Sequence, residues 1–309
     1  MSPIDPAASA LPIFPEFRPL RLEDRQFFQE ILWDYQPETS ELTFTNLFIW
    51  QTHYGYEWCR DRDWLLVVSR SPARNGWGLP PLGPPPRVEV CGQILDWLQE
   101  EAGVAAPRLE RVDRRLAAEL AGVSRFAVEP QRDHFDYVYR SQDLIRLAGG
   151  EYHAKRNYIN TLARTHPCRY EPLEARHLAA CRELATAWCS LKRCEEDLSL
   201  MGEWEAVTTA LANLETLQVQ GGVILIDGRV EAFSLGELLN RETAVIHVEK
   251  ANPEIRGLYA LINQQFCEHA WAGVPFINRE QDLGEPGLRT AKMSYHPHQL
   301  VEKFSVSFR

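Results

Sequence analysis

Hydrophobic positions along this chain recur at two periods, and the switches between them mark out its elements. In "VEVCGQILDWLQEEAG", Cys91, Ile94, Leu95 and Leu98 share one face of a 3.6-residue repeat, which predicts a helix. The same spacing predicts helices over "EDRQFFQEILW", "ELTFTNLFIWQTHY" and "RRLAAELAG" in the first half. In the second half it predicts them over "EARHLAACRELATAWCSLKR", "EWEAVTTALANLETLQ" and "RGLYALINQQFCEH", the last with Leu258, Leu261, Ile262 and Phe266 on one stripe. Shorter apolar or alternating runs predict strands at "FRPL", "YEWCRD", "WLLVVSR", "RLERVD", "RFAVE" and "DYVYR". Further on they predict them at "CRYEPL", "GGVILIDG", "RVEAFSLGEL", "ETAVIHVEK", "VPFINREQ" and "LVEKFSVSF". Asp227–Gly228 is a hairpin turn signal, and Pro286 suits the first turn of a helix over "PGLRTAKMSY". "GWGLPPLGPPPR" reads as a strand broken by prolines, which cannot donate to a ladder.

One predicted helix is unusual. In "EYHAKRNYINTLART", His153, Asn157, Asn160 and Arg164 share a face at spacings of four, three and four. Asparagines lower helix stability because their side chains compete for backbone hydrogen bonds. Either the amides line a groove for a polyvalent substrate, with Lys155 and Arg156 near its mouth, or they bond to protein and fix an interface.

Each half reads β-α-α-β-β-β-α-β-α-β, an order that resembles the GNAT acyltransferase fold, here occurring twice. The expectation is an α+β chain of two tandem GNAT-like domains, each a mostly antiparallel twisted sheet flanked by helices. Residues 1–15 would be a loose arm, 16–145 the first domain, 146–166 a connecting helix, and 167–309 the second domain, carrying the site.

Composition narrows this picture modestly. A chain of 309 residues, 45% hydrophobic and 25% charged, has room for two cores. A net charge of −10 argues against a DNA binder or a chain basic all over, and leaves room for a local basic patch. Seven cysteines without a CxxC pair fit neither a disulfide framework nor a zinc site, and no cluster has metal-ligand spacing. Cys181 falls on an apolar helical stripe and reads as a small core residue. With no apolar run near 18–20 residues and no signal peptide, the expected location is cytoplasmic.

The GNAT resemblance implies that the fourth and fifth strands splay apart to receive an acyl donor. In the second half these are "TAVIHVEK" and "FINREQ". Strict alternation points Val245, His247 and Glu249 one way, and sets Asn278 and Glu280 opposite Arg279. So many polar groups make a poor core strand. Either they form a solvated edge, with Arg279 paired to Glu280 or Asp282, or Asn278, Arg279, Glu280 and Asp282 line the opening. Arg289, Lys292 and His296 form a basic stripe on the following helix and, with Lys155, Arg156 and Arg164, could meet an anion such as a phosphate, a carboxylate or a tRNA backbone. Acetyltransferases of that superfamily hold coenzyme A pyrophosphate on an R/Q-x-x-G-x-G/A loop. Here "RGLYAL" keeps Arg256 but puts Tyr259 and Leu261 at the glycine positions, a degraded signature.

"TFTNLFIW", "YHAKRNYIN", "VIHVEKANPEIRGLYALINQQF" and "INREQDLGEPGLRTAKMSYHP" closely resemble the phosphatidylglycerol lysyltransferase C-terminal-like family, over about residues 16 to 305. Gly287, Leu288, Arg289, Lys292, Tyr295 and Pro297 look like the most widely shared part. Named members move an aminoacyl group from charged tRNA to a lipid hydroxyl. Their membrane-embedded half has no counterpart in this sequence, which leaves the acceptor, lipid or otherwise, open. The resemblance implies an acyl- or aminoacyltransferase with an amine or hydroxyl acceptor attacking directly. Glu249 or His247 would take the proton, Arg289, Lys292 or a backbone N–H would hold the oxyanion, and Tyr295 would protonate the leaving group. No metal or fixed cofactor is required; aminoacyl-tRNA or acyl-CoA would be the donor. The alternatives are a non-catalytic module binding an anionic nucleotide or charged tRNA, and an acetyl-CoA N-acetyltransferase.

Overall fold

A computed structural model describes residues 11–71 and 76–309. In chain order its elements begin β1 (Arg18–Pro19), α1 (Arg25–Tyr35), α2 (Phe44–Ile49), α3 (Gln51–Tyr54), β2 (Tyr56–Asp61), β3 (Trp64–Ser69), β4 (Trp77–Gly78), α4 (Val88–Glu100), β5 (Arg108–Val112), α5 (Arg114–Ala121), β6 (Phe126–Pro130) and β7 (Asp136–Arg140). They continue α6 (Ser141–Arg146), α7 (His153–Thr165), β8 (Cys168–Pro172), α8 (Leu178–Lys192), α9 (Leu198–Ala212) and α10 (Leu214–Leu217). The chain closes with β9 (Gln220–Ile226), β10 (Arg229–Leu238), β11 (Thr243–Ala251), α11 (Leu258–Trp271), β12 (Phe276–Asn278), α12 (Pro286–Met293), β13 (Gln299–Val301) and β14 (Phe304–Phe308). One compact unit takes the described residues up to Tyr35, with Gln51–Gln131 and Lys303–Arg309; the other takes Gln36–Trp50 and Arg132–Glu302.

The first unit holds a sheet in the order β1-β2-β3-β4-β5-β14-β6. The predicted stripe of α4, Cys91, Ile94, Leu95 and Leu98, is buried in its core with Leu109, Val112, Leu116, Leu120 and Val306. Asp113 caps α5 by accepting the Leu116 N–H. Residues 1–10 of the expected arm lie outside the described residues. Residues 11–15 are not loose: Pro12 and Phe14 exchange backbone hydrogen bonds with Arg60. The Phe14 ring packs on Phe17 and Trp97, so an apolar side chain anchors this end.

The second unit carries the order β13-β7-β12-β11-β10-β9-β8. Its strands pair antiparallel except β11 with β12. α11 packs Phe266, Cys267 and Trp271 against Tyr139, Ala244, Ile246 and Ile277, and Leu258 and Ile262 against Ala251 and Ile224.

Several boundaries differ from expectation. β7, read as the end of the first half, lies hydrogen-bonded between β12 and β13, and β14 lies between β5 and β6. The units are therefore not the consecutive blocks 16–145 and 167–309. Alternation identifies a strand and its two faces, but carries no record of its neighbour. "LVEKFSVSF" is two strands rather than one, broken at Glu302–Lys303, and "ELTFTNLFIWQTHY" is two short helices interrupted at Trp50. Cysteine pairing was also not foreseen: a left-handed turn at Arg193 after α8 brings Cys194 back to a disulfide with Cys189. Cys181 is fully buried, as its stripe position implied.

Candidate functional site

The β11–β12 ladder is short. It joins Thr243, Ala244 and Val245 to Phe276, Ile277 and Asn278, whereas β11 runs on to Ala251. Beyond Val245 the two parallel strands part. On its other edge β11 carries a bulge: Leu235 pairs with Val248 and Gly236 with Ile246, leaving His247 without a partner in β10. One extra residue inverts the alternation downstream. His247 and Glu249, expected on one face, therefore reach different partners: Glu249 meets Asn263 of α11, and His247 meets Glu237 of β10 and Glu280.

Glu249 faces Arg279 across the opening. Arg279 Nη2 donates to Glu249 Oε1 at 3.1 Å and Oε2 at 3.3 Å, and Asn263 Nδ2 donates to Oε2 at 3.2 Å. Two buried atoms beside the carboxylate have no partner: Arg279 Nη1, a donor, and Asn263 Oδ1, an acceptor. Buried polar atoms are normally satisfied, so such a pair marks room for a ligand or water. The Arg279 guanidinium lies 4.8 Å from the Tyr295 ring centroid and 5.7 Å from that of Tyr139, and Lys155 Nζ sits 4.0 Å from the Tyr295 centroid. Tyr152 OH, at the start of α7, donates to the Tyr295 carbonyl at 2.9 Å, and Tyr139 OH to the Lys292 carbonyl at 2.9 Å. Burial acts to lower the Arg279 pKa, but the adjacent Glu249 outweighs it and raises it. Burial lowers Lys155, reinforced by Arg279 and opposed by Glu249. Burial pushes the Tyr295 phenol up to about 12, so it keeps its proton.

On the other side of β11, His247 Nε2 lies 2.9 Å from Glu237 Oε1 and Nδ1 lies 2.9 Å from Glu280 Oε1, with the ring 2% exposed. Burial disfavours its charge, but hydrogen bonds to the two carboxylates prevail and raise the pKa to about 9. A group so held is a poor general base, which counts against the expectation of His247 as proton acceptor. Glu280 also accepts from Asn46 Nδ2 at 3.3 Å, and Asn278 donates to Asp136 Oδ2 at 3.1 Å. Asn278 and Glu280 are thus bound to protein on the face away from Arg279.

The basic stripe of α12 is likewise occupied. Arg289 pairs with Asp282 at 2.8 Å and Asp133 at 2.7 Å. Burial acts to raise the Asp282 carboxyl, yet hydrogen bonds from Arg289, Tyr137 and the Gly284 N–H outweigh it and hold it below the usual range. Lys292 Nζ donates to the carbonyls of Arg279 at 2.6 Å and Gln281 at 2.5 Å; burial lowers its pKa to about 8. These residues brace the loop after β12 instead of waiting for an anion. Helical spacing could not show this, because Asp133 and the carbonyls come from other segments.

Of the α7 residues, only Lys155 is placed by these contacts beside Glu249 and Arg279. Arg156 donates to the carbonyls of Leu147 and Gly149 and so ties down the preceding turn. His153, Asn157, Asn160 and Arg164 are exposed, with Arg164 bonded to Thr161 on its own helix. Arg256 stacks on Tyr158, with the guanidinium 4.6 Å from the ring centroid, and donates to its hydroxyl at 3.1 Å. Gly257, the N-cap of α11, has φ +102°, and a Cβ there would stand 2.8 Å from the Tyr158 carbonyl oxygen. α7 therefore lies directly on the residues that open α11.

Asn263 and Tyr139 escaped the sequence reading. A signal for Asn263 was present: it falls beside Ile262 and Phe266 on the buried side of α11, where an amide needs a partner. Among the described residues, no helix is long and apolar enough to cross a membrane, and no group of three or more His, Cys, Asp or Glu could hold a metal ion.

With this geometry in view, comparisons place the chain. It is 30% identical to a conserved protein of unknown function from Bacteroides thetaiotaomicron, over 95% of this chain and 99% of that one, with a TM-score of 0.87. L-PGS from Bacillus licheniformis superposes with a TM-score of 0.62 at 13% identity, over 92% of this chain and 91% of that one. A tandem GNAT protein from the clavulanic acid biosynthesis pathway gives 0.50 at 10% identity, over 95% and 98%. The last two likenesses concern the fold, which is α+β and tandem GNAT-like. No curated protein sequence matches. Residues 34–307 match the family described as phosphatidylglycerol lysyltransferase, C-terminal, and the chain belongs to that family.

Proposed function

We propose that this chain is an acyl- or aminoacyltransferase whose donor carbonyl enters the opening between β11 and β12. The observation that carries the reading is Arg279 Nη1, a buried cationic donor without a partner, next to a carboxylate. A free N–H there can donate a hydrogen bond to a carbonyl oxygen and hold it more strongly as the oxygen becomes an oxyanion. The acceptor amine or hydroxyl attacks the carbonyl carbon and passes its proton to Glu249. Collapse of the tetrahedral intermediate breaks the donor ester or thioester bond, and a proton from the Tyr295 phenol or from Glu249 completes the leaving group.

An aminoacyl ester of tRNA is favoured over coenzyme A thioesters as donor. Family membership supports it, as does α7 lying over the loop where pyrophosphate would need close approach. The test supplies a pool of tRNA charged with labelled amino acids and, separately, acyl-CoA thioesters, each with amine and hydroxyl acceptors. Transfer from charged tRNA is expected. Binding of charged tRNA without transfer would make the chain a binding module, and transfer from coenzyme A thioesters alone would overturn the choice of donor.

A further inference from the structure

We infer that His247 is a positioning residue for this opening: its imidazolium fixes the turn at Arg279–Glu280 from the sheet face opposite Glu249. The consequence for catalysis rests on the transferase reading; the geometry does not.

Arg279 and Glu280 are consecutive, and β11 grips them with two side chains on opposite faces. Glu249 holds the Arg279 guanidinium at 3.1 Å, and His247 holds the Glu280 carboxylate at 2.9 Å. The bulge makes this possible, because without the unpartnered residue at 247 both side chains would leave β11 on one face. Signs alternate across the parting strands: cation to carboxylate on one face, carboxylate to cation on the other.

The turn needs holding. Glu280 has φ +55°, a left-handed conformation that a non-glycine residue keeps only where its surroundings enforce it. Its N–H donates to Asn278 Oδ1 at 2.8 Å, its carbonyl accepts from the Tyr137 N–H at 3.2 Å, and the Arg279 carbonyl accepts from Lys292. These bonds fix the backbone; His247 and Asn46 fix the carboxylate. An ionised carboxylate only accepts, so an imidazole between two of them must carry a proton on each nitrogen. The groups facing this arrangement are Glu237 from β10, Glu280 beyond β12, Thr43 at the N-cap of α2 and Asn46 within it; Lys292 of α12 is near enough to feel the charges of Glu280 and of Asp136 of β7. Loss of the His247 proton frees one carboxylate, and the turn that aims Arg279 loosens.

The experiment titrates the full chain by NMR with labelled histidine and arginine, assigning resonances with His247→Gln and Arg279→Lys. Both ring nitrogens of His247 are expected to be protonated at pH 7.5, and the Arg279 13Cζ resonance to move in step as His247 deprotonates near pH 9. Ordinary titration near 6.5, or a neutral tautomer at pH 7.5, overturns the inference, as does an Arg279 resonance that ignores the His247 titration. Because wild-type protein supplies these signals, a variant that fails to fold does not remove the test. If charged tRNA gives no transfer with wild type, the transferase reading fails while the titration still decides the role of His247.

Discussion

Arg279 Nη2 and Glu249 Oε1 stand 3.1 Å apart where β11 and β12 have already parted. The pair spans a gap that backbone hydrogen bonds no longer close. Each side of it keeps a buried atom unclaimed, Arg279 Nη1 and Asn263 Oδ1. A purely structural ion pair in so protected a place would be expected to satisfy both partners fully.

Coenzyme A should not bind. With Tyr259 and Leu261 in place of glycines and α7 over Gly257, the α11 N-terminus lacks the close approach a pyrophosphate needs. Isothermal titration with coenzyme A and acetyl-CoA is expected to show no heat of binding; micromolar affinity would mean the loop is accessible.

Gly257→Ala tests the same contact through stability. A Cβ at φ +102° is strained and would approach the Tyr158 carbonyl to 2.8 Å. A loss of roughly 1–3 kcal/mol in urea unfolding is expected. Unchanged stability would separate α7 from the start of α11.

Gly236 sits opposite the bulge, and a Cβ there would stand 2.5 Å from the Val245 carbonyl oxygen. Backbone cannot move aside as a flexible side chain can. Gly236→Ala is expected to cost about 2 kcal/mol and to disturb His247 and Glu249 together. Histidine NMR showing His247 unmoved would detach the bulge from the placement of these side chains.

Stability should depend on pH through His247. Its folded pKa, about 9, lies above an unfolded value of about 6.5. The stabilisation is therefore complete below pH ~6.5 and is lost as pH rises through about 9, with a total on the order of 3 kcal/mol. Urea unfolding of wild type against His247→Gln at several pH values checks this: the difference should shrink towards alkaline pH. A difference that grows there has the wrong sign.

The order of elements was legible in the sequence because periodicities of 3.6 and 2 record which face of each element is buried. The stripe of α4 and that of α11 follow directly. The bulge was not legible: strict alternation put His247 and Glu249 on one face, and a single residue without a ladder partner separates them. Glu249, Arg279, Tyr295 and Lys155 could be named in advance, yet their company could not, since Asn263 and Tyr139 look like ordinary members of a buried helix and strand. Arg289 and Lys292 show the converse. Their spacing describes a basic stripe, and only the fold reveals Asp282, Asp133 and two carbonyls already bound to it.

Single-turnover transfer from charged tRNA by Glu249→Gln, compared with wild type at equal protein and tRNA saturation, bears on the site without intermediaries. Glutamine keeps the shape and one acceptor oxygen but cannot take the proton, so the rate should fall by about 10²–10⁴ while charged tRNA still binds. Transfer at the wild-type rate by a folded Glu249→Gln protein would contradict the assignment of this opening as the reaction centre.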